Sequence, residues 1–242
     1  MTLSEKDKQY IWHPYTPLVI GIENITIARG EGALLYNEQG KAYIDAVSSW
    51  YVNLHGHAHP YIAEKIYEQA KKLEHVIFAG FTHEPAVNLA ERLLQHLPSN
   101  QRKLFYSDDG STAVEVAIKM AIQYWVNLGE KKNVIIAFHD SYHGDTFGSM
   151  SVSDRGIFTR SFNDFLFEVK FIPTPNENNI NEVIKQVETL SEGNDVAAFI
   201  YEPLLQGAGG MKMYHPNSLN KLLQFIKSKN IICIADEVLT GF

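Results

Sequence analysis

Residues 196–203 read VAAFIYEP, an unbroken apolar run that leads directly into a glutamate and a proline. Residues 133–139 (NVIIAFH) and 231–236 (IICIAD) follow the same pattern, in which a short apolar run ends on a polar side chain. Segments with apolar residues at helical spacing separate these runs. Continuous apolar strands that alternate with helices are typical of a parallel sheet covered on both faces. The sequence therefore predicts an α/β domain built on a mostly parallel sheet.

The hydrophobic pattern also predicts where the individual elements lie. The predicted strands are residues 103–107, 133–138, 168–172, 196–201 and 231–235. The predicted helices are residues 60–73, 85–97, 112–128, 180–190 and 218–228. Three short alternating segments, residues 24–28, 33–36 and 41–46, with a turn signal at 37–40, predict a small antiparallel meander. We therefore expect an N-terminal segment at residues 1–50, followed by a large domain at residues 51–242.

Composition excludes several classes of protein. The chain has 242 residues, of which 45% are hydrophobic and 20% charged, as in an ordinary globular protein. A net charge of -7 without a Lys/Arg cluster disfavours nucleic-acid binding. The single cysteine, Cys233, excludes a disulfide framework and a cysteine-based zinc site. No apolar run reaches the ~18–20 residues of a membrane helix, and the first residues are polar, so we expect a cytoplasmic protein with no membrane partner.

Polar clusters follow four of the predicted strands, at residues 108–112, 139–145, 202–203 and 236–237. Because the carboxyl ends of parallel strands meet at one edge of a sheet, we expect these clusters to lie together and to form a ligand site. Gly110-Ser111-Thr112 begins a predicted helix, where backbone N–H groups suit a phosphate. Simple helix capping by Asp109 or Ser111 would explain the same residues.

Two further side chains suit a flat ligand that carries a positive charge. Tyr142 is placed to stack on a planar ring, or else to pack beneath its own loop. Asp236 follows an apolar strand and needs a partner, which a cationic ring nitrogen, a helix cap or a salt bridge would supply. The histidines with the closest spacings are His55, His57, His59, His139 and His143. Their spacing does not aim the rings at one point, so we expect no metal site.

The order of these clusters resembles the class III aminotransferases, which are pyridoxal-phosphate enzymes of fold type I. The motifs that carry the resemblance are Gly110-Ser111-Thr112, Tyr142-His143-Gly144, residues 202–207 (EPLLQG) and residues 236–242 (DEVLTGF). The resemblance implies that Gly110 and Ser111 hold the phosphate of pyridoxal 5'-phosphate. It also implies that Tyr142 flanks the cofactor ring and touches substrate, that Asp236 pairs with the pyridine nitrogen, and that Val238 packs on the ring.

Three further segments narrow the resemblance within the class. They are residues 12–16 (WHPYT), 48–57 (SSWYVNLHGH) and 78–85 (FAGFTHEP). They are similar to the adenosylmethionine-8-amino-7-oxononanoate aminotransferases of biotin biosynthesis, which move an amino group from S-adenosylmethionine to 8-amino-7-oxononanoate. This branch implies a homodimer in which Tyr15 and Trp50 line the substrate pocket. The alternatives are another class III ω-aminotransferase, acting on ornithine or 4-aminobutyrate, and a non-catalytic fragment that keeps the phosphate site.

The resemblance also implies a lysine that binds the cofactor covalently, at a position beyond the motif that begins at Asp236. The sequence ends at Phe242, before that position is reached. We therefore expect a truncated form of the large domain, which is inactive as an aminotransferase on its own. An unpaired sheet edge also predicts poor stability and a tendency to aggregate.

Overall fold

The computed structural model describes residues 1–19, 21 and 23–241. It divides into two compact units, residues 1–102 and 103–242. The domain boundary that the sequence places after residue 50 is a separate expectation and stays a prediction. None of the helices in the described ranges is long and apolar enough to cross a lipid bilayer.

The first unit contains the predicted meander. Strands β1 (Ile27–Glu31), β2 (Leu34–Asn37) and β3 (Ala42–Ile44) form an antiparallel sheet in the order β1-β2-β3. The turn between β2 and β3 forms because Asn37 Oδ1 accepts hydrogen bonds from the N–H groups of Gln39 and Lys41. The meander is confirmed, with its first strand three residues further along the chain than predicted, because its ladder starts at the pair Ile27–Asn37.

Four helical segments complete the first unit. Helix α1 (Leu3–Tyr10) begins at a capping box in which Thr2 and Glu5 bond each other's backbone N–H groups. Helices α3 (Pro60–Lys72) and α4 (Glu84–His96) each have a proline in the first turn, where its missing N–H costs nothing, and both confirm the predicted helices. The fourth, α2 (Ser48–Tyr51), is a single turn with left-handed backbone angles.

The second unit contains the predicted parallel sheet. Its strands are β4 (Val134–Phe138), β5 (Lys170–Ile172), β6 (Val196–Tyr201) and β9 (Ile232–Ala235), all parallel and in the order β5-β4-β6-β9. Its helices are α5 (Gly110–Asn127), α6 (Phe147–Val152), α7 (Ile180–Leu190) and α8 (Pro216–Ser228), with a 3-10 helix at Arg160–Phe165. A short hairpin, β7 (Leu205–Gln206) and β8 (Lys212–Met213), follows β6.

Helices cover both faces of this sheet, as the sequence predicts. Successive residues of a strand point to opposite faces, and the two apolar clusters follow that alternation. Ile135, Ala137 and Ile200 pack with residues of α5 and α6. Ile136, Phe138 and Phe199 pack with residues of α7 and α8. The apolar strands are therefore buried on both sides, which explains why they show no polar alternation.

The predicted strand at residues 103–107 is wrong for the chain as described. These residues adopt neither strand nor helix, and Phe105 is 66% exposed. A strand needs a hydrogen-bonded neighbour, and among the described residues the sheet ends at β9 without a further strand. The apolar pattern at residues 103–107 is thus that of a strand, but none of the described strands pairs with it.

Candidate active site

The carboxyl ends of β4, β6 and β9 bring three of the four polar clusters together. Asp236 follows β9, and its Oδ2 lies 2.7 Å from Nδ1 of His143, in the loop after β4. The side chain of His143 is 0% exposed and that of Asp236 is 7% exposed. The other carboxylate oxygen, Oδ1, accepts a hydrogen bond of 3.2 Å from the N–H of Val238. Both oxygens of Asp236 therefore have fixed orientations.

The pairing of His143 with Asp236 is the main feature that sequence reasoning missed. An ionised carboxylate only accepts hydrogen bonds, so Nδ1 of the imidazole donates. Its other nitrogen, Nε2, is buried and has no hydrogen-bond partner among the residues that the structure describes. A buried carboxylate that accepts hydrogen bonds from one imidazole and one backbone N–H favours a cationic group beside it. Because 93 residues separate the two side chains, no local pattern in the sequence indicates the pair.

Glu202, directly after β6, joins two loops of the site. Its Oε1 accepts from the N–H of Tyr142 at 3.0 Å, and its Oε2 accepts from the N–H of Gly207 at 2.9 Å. Burial raises the pKa of Glu202, and these two N–H groups oppose part of that rise. Tyr214 donates its hydroxyl to the carbonyl of Glu202. The buried carboxylate thus fixes the backbone of Tyr142 relative to the end of β6.

The fourth cluster forms the start of α5. Asp109 is the helix cap: its Oδ1 accepts from the N–H of Thr112 at 2.8 Å, and Thr112 Oγ1 accepts from the N–H of Asp109 at 3.2 Å. Of the two capping residues considered above, the structure has Asp109 in that role. The hydroxyl of Ser111 instead accepts a hydrogen bond of 3.2 Å from the N–H of Asp145. Asp109 thus satisfies the N–H of Thr112, whereas the N–H groups of Gly110 and Ser111 precede the first acceptors that the helix itself can offer.

Close backbone packing connects the start of α5 to the other clusters. A Cβ atom on Gly110 would lie 3.0 Å from Cγ2 of Val238. A Cβ on Gly144 would overlap the Ser111 hydroxyl, and the φ of Gly144 is +124°, a region that side chains rarely adopt. Gly110, Ser111, Asp236 and Val238 therefore occupy one edge of the sheet, as expected. Tyr142 lies at the same edge, where its hydroxyl donates to Asp145 Oδ2 at 2.9 Å.

Two of the predicted site residues lie in the first unit. The rings of Tyr15 and Trp50 have centroids 5.7 Å apart and an interplanar angle of 53°. Each residue is 68% exposed and has a positive φ, +56° for Tyr15 and +66° for Trp50. The structure brings these two rings into contact with each other.

The histidines considered for a metal have other partners. His57 Nε2 lies 2.7 Å from Asp45 Oδ2, His139 Nδ1 lies 3.4 Å from Asp154 Oδ2, and the rings of His55 and His59 meet edge to face. Over residues 1–19, 21 and 23–241, no three His, Cys, Asp or Glu side chains converge on one point.

Comparison with known proteins identifies the family. The sequence pattern of the family described as aminotransferase class-III matches residues 20–242. The chain belongs to this family. Among curated members, the adenosylmethionine-8-amino-7-oxononanoate aminotransferase of Synechococcus elongatus is 48% identical over 96% of this chain and 57% of its own length. The protein of the same name from Staphylococcus aureus is 39% identical over 99% of this chain and 57% of its own length.

Solved structures of two aminotransferases agree with the fold. The adenosylmethionine-8-amino-7-oxononanoate aminotransferase of Methanocaldococcus jannaschii has a TM-score of 0.93 and 39% identity, over 99% of this chain and 55% of that one. An omega transaminase from Pseudomonas jessenii, in complex with PMP, has a TM-score of 0.91 and 29% identity, over 100% of this chain and 57% of that one. The predicted family and fold are thus confirmed. The chain spans 57% of the length of the two curated relatives named above.

Proposed function

We propose that this chain forms the cofactor-holding part of a pyridoxal 5'-phosphate-dependent aminotransferase of biotin biosynthesis. The reaction moves an amino group from S-adenosylmethionine to 8-amino-7-oxononanoate and gives 7,8-diaminononanoate. The observation that carries the proposal is the buried Asp236–His143 pair, at the same sheet edge as the start of α5. The curated relatives of highest identity named above have this activity in their names.

The start of α5 fits the phosphate end of the cofactor. Its first-turn N–H groups and the positive end of the helix dipole favour an anion. Ser111 adds a hydroxyl. Gly110 lets the start of α5 lie close to Val238, because a side chain at position 110 would meet Val238. Asp109 caps the helix with its own side chain bound to Thr112, so Ser111 does not have to act as the cap.

The end of β9 fits the ring of the cofactor. The Asp236 carboxylate, held by His143 on one oxygen and by the Val238 N–H on the other, keeps a nearby pyridine nitrogen protonated. The hydrogen bond from the N–H of Val238 to Asp236 also fixes Val238 next to the carboxylate, so an apolar side chain stands beside it. When bound, the protonated cofactor supplies an electron sink for the carbanion of an amino-acid substrate. Tyr142, whose backbone Glu202 fixes, contributes an aromatic surface beside the ring.

The finer parts of the proposal concern substrate and assembly. Tyr15 and Trp50 contact the substrate, as the resemblance to the biotin-pathway branch implies. The assembly is a cytoplasmic homodimer. The resemblance implies a lysine that binds the cofactor covalently, and none of the site residues described above is a lysine. A second candidate, another class III ω-aminotransferase, is favoured by the likeness to the Pseudomonas jessenii structure, at 29% identity.

Titration with pyridoxamine 5'-phosphate tests the proposal. This probe has an amine where pyridoxal phosphate has an aldehyde, so it does not condense with surface lysines. The chain should bind it saturably, and Ser111→Ala should weaken binding by about tenfold, the value of one hydrogen bond to a charged group. Ser228→Ala is the matched control, since Ser228 donates only to the carbonyl of Phe225 at the end of α8. Absent binding, or equal binding by the Ser111 variant, would contradict the proposal.

The choice between the two aminotransferase candidates needs a form of the protein that catalyses transamination. Turnover should be supported by S-adenosylmethionine as amino donor. If ornithine or 4-aminobutyrate supports turnover and S-adenosylmethionine does not, the second candidate replaces the first.

A further inference from the structure

The turn α2 (Ser48–Tyr51) has a backbone of the opposite hand to ordinary helices. Its four φ angles are +49°, +48°, +66° and +70°, and none of its residues is glycine. Its backbone hydrogen bonds are formed, with the N–H of Tyr51 donating to Val47 at 2.8 Å and that of Val52 donating to Ser48 at 3.0 Å. Left-handed backbone is unfavourable for residues with a Cβ, and four in succession are rare. Other contacts must therefore hold this turn.

The carboxylate of Asp45 supplies those contacts. Its Oδ2 accepts from the hydroxyl of Ser49 at 2.7 Å and lies 2.7 Å from Nε2 of His57. The side chain of Asp45 is 6% exposed. The backbone N–H and the hydroxyl of Ser49, followed by His57, lower the pKa of Asp45 to about 2, so the carboxylate is ionised at neutral pH.

His57 is itself fixed to the neighbouring strands. Its N–H donates to the carbonyl of Gly32 at 2.8 Å, and its carbonyl accepts from the N–H of Gly32 at 3.2 Å. Its second ring nitrogen lies 3.3 Å from the side-chain amide of Asn53. Asp45 therefore connects the turn, through His57, to the connection between β1 and β2.

The turn presents an aromatic ring. Trp50 is exposed, and it meets Tyr15, whose backbone is also left-handed. Strained backbone persists where its surroundings over-determine it, and such segments concentrate at functional sites. Here the left-handed backbone occurs at Tyr15 and Trp50, the two residues that contact the substrate in the proposed function.

We propose that Asp45 is a positioning residue, which holds the left-handed turn so that Trp50 and Tyr15 form one aromatic wall for the substrate. This inference rests on the proposed function, because only there do the two rings contact substrate. Asp45 itself acts through Ser49 and the turn. Loss of its charge releases the turn and moves the indole away from Tyr15.

Limited digestion with chymotrypsin tests the holding role without any catalysis. Chymotrypsin cleaves after Trp50 and Tyr51 once the turn opens, and mass spectrometry locates the cuts. Asp45→Asn keeps the size of the side chain but loses its charge, and it should speed these cuts by about tenfold, since hydrogen bonds to a charged group are lost. Ser49→Ala should act in the same direction with a smaller effect. Cleavage at these sites that is unchanged in both variants would overturn the proposal.

A control variant and an internal control show whether a change is local. Glu38→Gln removes a carboxylate of the same unit that accepts from the Thr26 hydroxyl at 3.0 Å, outside the turn. It should leave the cuts after Trp50 and Tyr51 unchanged. Cleavage after the exposed Phe158 of the second unit should stay constant in every variant. If Phe158 were cut faster in Asp45→Asn, the variant would have unfolded globally, and Ser49→Ala would then decide the matter.

A double-mutant cycle in a form of the enzyme that catalyses transamination tests the positioning role. Asp45→Asn should raise the KM of the substrate by about tenfold and leave kcat within about twofold, as expected for lost binding contacts. In a Trp50→Ala background, Asp45→Asn should cause no further rise in KM, because its effect passes through the indole. Additive effects would overturn the proposal. A parent enzyme without aminotransferase activity would refute the proposed function instead, and the digestion would still decide whether Asp45 holds the turn.

Discussion

Replacement of Asp236 separates its part in cofactor binding from its part in stability. Asp236→Asn removes the charge but keeps an oxygen that can accept from Nδ1 of His143. Asp236→Ala removes the charge and both hydrogen bonds, and it leaves the buried imidazole without a partner on either nitrogen. The two variants therefore share a loss of charge and differ in what happens to His143.

The general energetics of hydrogen bonds give the size of each effect. A hydrogen bond to a charged partner is worth about 1.5–3 kcal/mol, so either variant should weaken pyridoxamine 5'-phosphate binding by roughly 10- to 150-fold. An unsatisfied buried donor costs about 1–3 kcal/mol, so the free energy of unfolding should fall by about that amount more in Asp236→Ala than in Asp236→Asn.

Fluorescence titration with the probe and urea unfolding measure the two quantities separately. Unfolding should be followed in the absence of the probe, because a ligand stabilises the folded state by mass action. Parent-like affinity in Asp236→Ala would refute the assignment of Asp236 to the pyridine nitrogen. Equal stability of the two variants would refute the claim that the carboxylate satisfies His143.

Three further outcomes follow from the second unit. Gly144→Ala should lower the free energy of unfolding by more than about 2 kcal/mol, because the new Cβ would overlap the Ser111 side chain. Gly129 also has a positive φ, +76°, but it faces open space, so Gly129→Ala should cost only about 1 kcal/mol. Urea unfolding measures both free energies. Burial raises the pKa of Glu202 in the folded chain. Its contribution to stability is therefore complete below its unfolded pKa near 4.5 and is lost as the pH rises through the folded pKa. The free energy of unfolding, measured against pH, should fall over this range in the parent and not in Glu202→Gln. Burial raises the pKa of Cys233 from 9.0 to about 11. The thiol should therefore react with a thiol reagent at pH 8 roughly 100-fold more slowly in the folded chain than in the urea-unfolded chain. Equal rates would contradict the burial of Cys233.

The sheet of the second unit could be predicted because its signals are local. An apolar run such as residues 196–201 and a helix-forming run such as residues 180–190 each determine their own structure, and both are found with those bounds. Residues 103–107 have the same apolar pattern, but a strand also needs a neighbour, which the pattern does not contain. The difference lies in pairing, which is not local.

The sequence predicts which candidate residues stand at strand and helix ends, but it does not predict how their side chains bond to one another. The position of Asp236 and Ser111 at strand and helix ends follows from the sequence, and the structure brings both to one edge. The bond from Asp236 to His143 joins residues 93 apart, so only the folded chain reveals it. Tyr15 and Trp50 were identified by resemblance alone. The left-handed turn that holds Trp50 has no glycine to indicate it.

A crystal structure of the chain with pyridoxamine 5'-phosphate tests the central claim most directly. The phosphate should lie within hydrogen-bonding distance of Ser111 and the first turn of α5. The pyridine nitrogen should lie about 2.7–2.9 Å from a carboxylate oxygen of Asp236, the usual length of a charge-assisted hydrogen bond. A probe bound elsewhere, or one whose ring nitrogen faces away from Asp236, would contradict it.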